Sequence, residues 1–478
     1  MKRIILRGNF LLGILLLLFS LFLGCSNSDN QSNVEGNLIE NPKEGTIYAT
    51  WVNVWVSDLE SWWTPASYNG ITVNTGEESW KAINWRNEKY RKLVYDDLVD
   101  AGINLIITDN TNGKFDNTKL IANDLKNGEW DLKYCVALKA SHMKDATFMK
   151  ELSAFVEDNP YYYRLNGKPI IIAYVVYRDF LVLQDVSSDE VKAFPSYEYF
   201  KQFDVKWASG EVTKPNKWGW QLEPQDGYAA GSEADFVTPS VKHTAVAFDV
   251  DSRYASWSRS MAFLDYSFAL ARIYKPDHII VGSYDDTTER NGWMPMNTTN
   301  ALYSGCKMYS PWTGDTSDSY VFRKRVEDWI KGNELEVHPG GNLPDGIYRI
   351  KNQEADKYMR ANSDVAQLEM GLGMMGISTH DKFVLYHISD KEYRIVNVYT
   401  GMPLMIEDNV LMTDVWTKED YGLFSMEETE NSGADVWTFE PITLFTEVAS
   451  SANYKIRVKS SRELLMQYKS SIYAVEEK

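Results

Sequence analysis

The sequence predicts an α/β protein: a (β/α)8 TIM barrel over residues 45–333, followed by a small all-β, trefoil-like domain over 345–478. Three observations predict it. Strand-like apolar runs alternate with helix-like segments up to residue 333. Residues 333–344 (NELEVHPGGNLP) read as a linker, and beyond them short strands run on without helices. That second region also repeats itself.

Ahead of the barrel, Lys2, Arg3 and Arg7 precede an apolar run from Leu11 to Leu23, broken only by Gly13 and Ser20. The run is short for a membrane span and has the flanks of a secretory signal peptide. It ends in Leu-Phe-Leu-Gly-Cys, residues 21–25. This resembles the bacterial lipobox, where a small residue stands beside the cut and the cysteine thiol takes a diacylglycerol. The resemblance implies a cleaved signal peptide over 1–24, lipidation of Cys25 and a membrane anchor in the cell envelope. Ser26, in place of Asp, points to the outer membrane in that pattern. A plain secretory signal with an incidental cysteine is the alternative. Residues 25–44 are rich in Asn, Ser, Asp and Gly and read as a flexible tether.

Eight strand candidates follow: 46–56, 103–108, 132–138, 169–176, 205–208, 218–222, 236–241 and 278–284. The run PIIIAYVV at 169–176 is continuously apolar, as parallel strands buried on both faces are. Between strands, Tyr90, Leu93, Val94, Leu98 and Ala101 keep a helical period, and Gly102 stands at the expected C-terminal cap. Phe148, Met149, Leu152, Phe155 and Val156 mark a second helix. Trp257, Met261, Leu264, Phe268 and Ala271 mark a third, ended by Pro276. An open doubly wound sheet is the alternative to a barrel.

In the second region Tyr348-Arg-Ile, Tyr393-Arg-Ile and Tyr454-Lys-Ile each precede a methionine by eleven or twelve residues: Met359, Met405 and Met466. Strand pairs around 382–388 and 436–442 complete the first two copies, and the third stops at Lys478 before its own. The repeat pattern resembles the ricin-B-type lectin β-trefoil. The Gln-x-Trp signature of that family is absent, since Asp435 stands two before Trp437. The resemblance therefore implies fold more than sugar binding.

Composition narrows the function. A net charge of −18 argues against nucleic acid as a partner. The 16 Trp and 29 Tyr offer flat apolar faces to sugar rings, although core packing claims most such residues. Cys135 and Cys306 leave open either one disulfide or a buried free thiol. The six histidines are scattered and no CxxC or HExxH occurs, so no metal or other cofactor is expected. Gly371-Leu-Gly-Met-Met-Gly376 fits GxGxxG but lacks the βαβ context of a dinucleotide site.

A barrel places its chemistry at the C-terminal ends of its strands. Carboxylates fall there: Asp109, Glu211, Glu223, Asp226, Asp249, Asp251 and those at 285–289. The segment Gly282-Ser-Tyr-Asp-Asp-Thr-Thr-Glu-Arg-Asn-Gly-Trp-Met-Pro295 follows the last strand. It resembles the Asn-Glu-Trp-x-Glu-Gly segment of glycoside hydrolase family 99 and the Asn-Asp-x-Gly-Glu segment of family 71. Tyr163-Arg-Leu-Asn-Gly-Lys-Pro-Ile170 and Thr238-Pro-Ser-Val are similar to strand lead-ins of the same barrels. The resemblance implies a glycosidase of α-linked polysaccharide or oligosaccharide, with Asp286 as the first acid and Glu289 as the second. Asp285 stands where Asn is usual, and Thr287 replaces the aromatic.

Such chemistry needs one protonated and one ionised carboxylate, about 5–5.5 Å apart for retention of configuration and about 6.5–9.5 Å for inversion. Asp109 and Glu223 are the next acids in line for substrate binding. Trp220, Trp293, Trp51 and Trp55 are candidate sugar platforms. A non-catalytic glycan-binding lipoprotein is the second reading.

Overall fold

The computed structural model describes residues 45–55, 73–75, 78–80, 84–157, 159–208, 218, 234–237, 261–274, 277–285, 293–295, 320–332, 343–361, 366–367, 369–371, 380–389, 392–407, 410–413, 422–445, 450–458, 462–467 and 471–476. The lipobox and Cys25 lie outside them. No helix among the described residues is long and apolar enough to cross a membrane.

Seven parallel strands build the first unit: β1 (Ile47–Val52), β2 (Leu105–Asp109), β3 (Lys133–Lys139), β4 (Lys168–Tyr174), β5 (Asp204–Trp207), β6 (Ala234–Val237) and β7 (His278–Ser283). Their order is β5-β4-β3-β2-β1-β7-β6. Seven of the eight candidate strands are thus present. Of 218–222, only Trp218 is described, and it lies outside any strand. From β1 to β5 every step goes the same way, and the steps from β6 to β7 and across to β1 keep that sense. A doubly wound sheet reverses its winding at the switch point. Here the one step that runs the other way is β5 to β6, which passes from one edge of the strand order to the other.

The sheet also curls. Tyr163 is hydrogen-bonded beside the starts of β3 and β4, while His278 opens β7. Strands spaced about 4.8 Å apart would hold these positions roughly 14–19 Å apart in a flat sheet. Yet the Tyr163 hydroxyl lies 2.7 Å from His278 Nε2. Trp218 spans the same interior. It accepts from Trp51 Nε1 of β1 on its carbonyl at 3.2 Å and donates its N–H to Trp207 of β5 at 2.5 Å. Its ring centroid sits 4.6 Å from that of His278.

Helices α1 (Glu88–Ala101), α2 (Phe115–Asn127), α3 (Ala140–Lys144) and α4 (Ala146–Glu157) connect the early strands. Asn87 caps α1 by accepting from the Lys89 and Tyr90 N–H groups, and Gly102 ends it at φ 89°. The lead-in to β4 is a tight hairpin. Asn166 and Gly167 both take positive φ, as a type I′ turn requires, and pair Arg164 with Pro169. Later come α5 (Tyr177–Leu183), α6 (Asp189–Lys192), α7 (Tyr197–Phe200), α8 (Met261–Tyr274) and α9 (Val321–Lys331). Cys135 is a buried free thiol, and burial pushes it well above its ordinary range.

The second unit is antiparallel. Its strands of three or more residues are β8 (Gly346–Asn352), β9 (Lys357–Arg360), β10 (Glu369–Gly371), β11 (Phe383–Ser389), β12 (Glu392–Asn397), β13 (Leu404–Glu407), β14 (Val410–Thr413), β15 (Phe424–Glu428), β16 (Val436–Leu444), β17 (Ala452–Val458), β18 (Arg462–Gln467) and β19 (Ser471–Glu476). Six close into a ring in the order β8-β11-β12-β15-β17-β16 and back to β8. The pairs β9–β10, β13–β14 and β18–β19 lie off the ring's circuit, with β9 and β18 bonded to the ends of ring strands β8 and β17. Tyr348, Tyr393 and Tyr454, with Ile350, Ile395 and Ile456, are buried together in one cluster. The repeat is therefore the ring's packing signature.

One expectation is corrected. Residues 436–442 do not complete the second copy. That place belongs to β15, while β16 lies between β17 and β8 and closes the ring. The ring position between β17 and β8 is thus filled by a strand from upstream of the third copy.

The two units share a core. Ile347, Val384, Tyr386, Val396 and Ile442 of the ring pack into the first unit's hydrophobic cluster. Trp329 of α9 stacks on Phe268 of α8 at 5.5 Å and meets Phe445 edge-on at 5.5 Å.

Candidate functional site

The C-terminal ends of the parallel strands converge around the segment that trails β1. Three residues in a row there are held by different parts of the chain. The Asn53 N–H donates to Asp285 Oδ1 at 2.8 Å. Asn117 Nδ2 donates to the Val54 carbonyl at 2.6 Å. The Trp55 indole donates to Asp109 Oδ2 at 2.9 Å.

Asp109 ends β2 and is 9% exposed. Its other oxygen accepts the Thr111 N–H at 2.8 Å. Burial pushes the carboxyl above its ordinary value, against the pull of the Thr111 and Trp55 bonds and the Lys139 charge. A carboxyl tuned upward at a strand end is suited to hold or donate a proton. Lys139, at the end of β3, reaches Asn112 Oδ1 at 3.3 Å.

Asp285 follows β7 and is fully buried. Its Oδ2 accepts the Trp85 indole N–H at 2.8 Å. The Trp85 carbonyl in turn accepts Arg91 Nη1 at 2.9 Å, and Arg91 pairs with Asp124 at 2.5 Å. A polar chain thus runs from α2 through α1 to the end of β7. Burial, and then the Asp285 charge, holds the Tyr90 phenol well above its ordinary value. The preceding residue is tied elsewhere. The Tyr284 hydroxyl donates to Asp97 Oδ2 at 2.7 Å, and Arg323 Nε donates to Asp97 Oδ1 at 2.7 Å. Burial raises the Asp97 carboxyl, opposed by Arg323 and Tyr284.

The chain leaves this point and returns to it. The Tyr284 N–H donates to the Trp51 carbonyl at 2.8 Å, Trp293 N–H to Ser283 at 3.2 Å, and Met294 N–H to Tyr284 at 2.9 Å. The Trp293 indole donates to Thr50 Oγ1 and to the Val281 carbonyl, both at 3.1 Å. Tyr284 is thus fastened to β1, and Trp293 to both β1 and β7.

Asp286 and Glu289, the sequence's first choices, lie outside the described residues, as do Glu223 and Trp220. Asp109 stands at a strand end as expected. Trp293 does not match a sugar platform: it is fully buried and its indole N–H is engaged within the fold. Trp51 is likewise buried. Trp55 is half-buried, with its indole turned to Asp109. The sequence did not point to Trp85, Asn53, Asp97 or Arg323. None of them lies in a motif, and only the position of Trp85 beside the Asn87 cap was a signal. Among the described residues no group of three or more His, Cys, Asp or Glu stands together as a metal site.

No family model matches the chain, and no curated protein does. Among solved structures, a GH99 endo-α-mannosidase from Bacteroides thetaiotaomicron superposes at TM-score 0.38 and 10% identity, over 60% of this chain and 96% of that one. A glycoside hydrolase-like protein superposes at TM-score 0.38 and 12% identity, over 62% and 96%. A designed threefold-symmetric protein, ThreeFoil, superposes at TM-score 0.21 and 13% identity, over 28% and 91%. Each likeness is remote in sequence and partial in superposition.

Proposed function

We propose that this chain is a glycoside hydrolase of the cell envelope, cleaving α-linked polysaccharide or oligosaccharide, with Glu289 as proton donor and Asp286 as base. The observation that supports the reading is that Tyr284 and Trp293, which flank the sequence bearing both carboxylates, are both held at the C-terminal end of β7, by the Trp293 bond to Ser283 and the Met294 bond to Tyr284. Residues that follow the strands at that end carry the chemistry of barrel enzymes. In this reading the curled parallel sheet is a (β/α)8 barrel spanning 45–333, and sugar enters at its strand ends.

The chemistry is acid/base hydrolysis. The acid protonates the leaving glycosidic oxygen while the base prepares the attacking group on the other side of the sugar. Asp109, Glu223 and Trp220 bind substrate. The carboxyl of Asp109 is held by the same three-residue segment that reaches Asp285. The second unit, over 345–478, is read as a β-trefoil resembling ricin-B lectins, from its six-strand ring, three hairpins and threefold Tyr-x-Ile repeat. Cys25 carries the lipid, in the outer membrane, and 25–44 is the tether.

The test is a screen of α-mannans and α-glucans with the wild type, Glu289→Gln and Asp286→Asn. Product release by the wild type, lost in Glu289→Gln, is expected. Release that survives Glu289→Gln sinks the assignment. Glycan retention in affinity gels with no product from any chain turns the reading to a non-catalytic glycan-binding lipoprotein.

A further inference from the structure

The parallel register puts three side chains on one side of the sheet. Trp51 turns its indole to the Trp218 carbonyl on the concave side. Its register partner on β2 is Ile107, so Asp109, two residues further on, shares that side. Asp109 is paired with Ala137 of β3, and Lys139 follows by two. Lys139 is in turn the register partner of Tyr174 on β4. Asp109, Lys139 and Tyr174 therefore stand together on the concave side, at the C-terminal ends of three successive strands.

Lys139 is the member without an anion. Lys119, Lys206, Lys351, Lys382 and Lys455 are half-buried or buried, as Lys139 is, and each pairs with a carboxylate. Lys139 meets a neutral group instead: among the described residues it donates to Asn112 Oδ1, at 3.3 Å. Asp109 feels the Lys139 charge, but its two oxygens are turned to the Trp55 indole and the Thr111 N–H. His142 of α3 feels the same charge and supplies no anion. An ammonium has three protons to donate, and an amide whose oxygen is engaged keeps its NH2 group as a donor. Asn112 is exposed, and so is Tyr174, at 42%. Two kinds of donor and an aromatic face thus open to solvent side by side.

Neighbouring strands lie about 4.8 Å apart, so a sugar ring lying on Tyr174 would carry its substituents across Lys139. A neutral sugar would cover the ammonium without pairing it, and burying an unpaired charge is costly. A sugar with a negative charge would meet it in a charge-assisted hydrogen bond. We propose that Lys139, with Asn112 and Tyr174, forms a subsite for an anionic sugar, and that the glycan this chain takes carries a uronate carboxylate or a sulfate ester. The proposal rests on the carbohydrate reading above, and its geometry comes from the ends of β2, β3 and β4. The chain as a whole is acidic, with net charge −18, so the selectivity is local to this cation.

The experiment titrates the full chain by calorimetry with an α-linked trigalacturonate, its methyl ester, maltotriose and sulfated maltotriose, and assays each mixture for products. The trigalacturonate is expected to bind at least about tenfold more tightly than its uncharged ester, the worth of a hydrogen bond to a charged group. Lys139→Met should remove that preference, Lys139→Arg should keep it, and Tyr174→Ala should weaken acid and ester alike. Binding confined to sulfated maltotriose and lost in Lys139→Met supports the subsite and names the sulfate ester as its charge. No binding of either acidic sugar, equal affinity for charged and uncharged forms, or a preference unchanged in Lys139→Met overturns the proposal. Charge-selective binding with no product from any glycan leaves the subsite standing and sinks the glycosidase reading. Product from neutral glycans alone, released equally by Lys139→Met, does the reverse.

Discussion

The Tyr386 hydroxyl of the ring donates to Asp265 Oδ2 of α8 at 2.8 Å, so one buried carboxylate is shared by both units. Asp265 also accepts Arg325 Nε at 2.7 Å, Arg325 Nη2 at 3.1 Å and Trp329 Nε1 at 2.6 Å. Burial disfavours the Arg325 cation, but Asp265 offsets this and leaves its proton held more tightly than usual. Tyr386→Phe is expected to cost about 1.5–3 kcal/mol, as a lost bond to a charged group does. Arg325→Met should cost about 3–5 kcal/mol, because it strands a buried carboxylate. Urea unfolding checks both. Wild-type midpoints for the two variants would show that the contact holds nothing together.

Asp109 gives a pH test. Its folded carboxyl sits above its ordinary value of 3.8 because of burial. Between the ordinary value and the folded one, the folded chain binds more protons than the unfolded chain, so stability from this group falls as pH rises. Asp109→Asn removes that titration. The stability of the wild type minus that of Asp109→Asn should therefore decline from acid pH toward neutrality. A difference that stays flat, or grows with pH, contradicts the buried environment described for Asp109.

Gly102 and Gly332 form a controlled comparison. Both take positive φ, 89° and 66°. A Cβ on Gly102 would meet Ile330 Cγ2 of α9 at 2.6 Å, whereas one on Gly332 would have nothing within 4 Å. Each Ala substitution should cost about 1 kcal/mol from backbone strain, and Gly102→Ala should cost measurably more. Equal losses in thermal unfolding would mean that α9 yields freely at this contact.

Trp293→Phe separates fastening from sugar stacking. It keeps a ring but gives up the N–H shared by Thr50 and Val281. A stability loss of about 1 kcal/mol is expected, with glycan retention in affinity gels unchanged. Retention lost at unchanged stability would return Trp293 to the platform role.

Much of the first unit was legible because its signals are local. Continuous apolar runs such as 169–176 mark strands buried on both faces, and the helical period from Tyr90 to Ala101, closed by Gly102, marks α1. The Tyr-x-Ile repeat likewise marked buried positions of the ring. What escaped depends on partners distant in sequence. The pattern of 436–444 identifies a strand, but nothing in it says that the neighbour is β8, some 90 residues upstream. Trp85 and Trp293 escaped for a related reason. An isolated tryptophan carries no period, so neither its burial nor its hydrogen bond can be read from spacing. At the site, the bonds of Tyr284 to Asp97 and of Trp293 to Thr50 join residues far apart in sequence, and no motif announces them.

The ring of the second unit closes out of order, and this bears on how the chain matures. Synthesis delivers residues from the N-terminus onward. When residue 444 has emerged, β8, β11, β12, β15 and β16 are all available, and one slot between β15 and β16 stays empty. The strand that fills it, β17, bonds to both flanks at once and is made only after them. Until then the unit presents two unpaired strand edges, the features most prone to pair with another molecule. The C-terminal segment is thus a keystone. A nascent or clipped chain ending near residue 450 would hold nearly all of its core residues and still be open to aggregation.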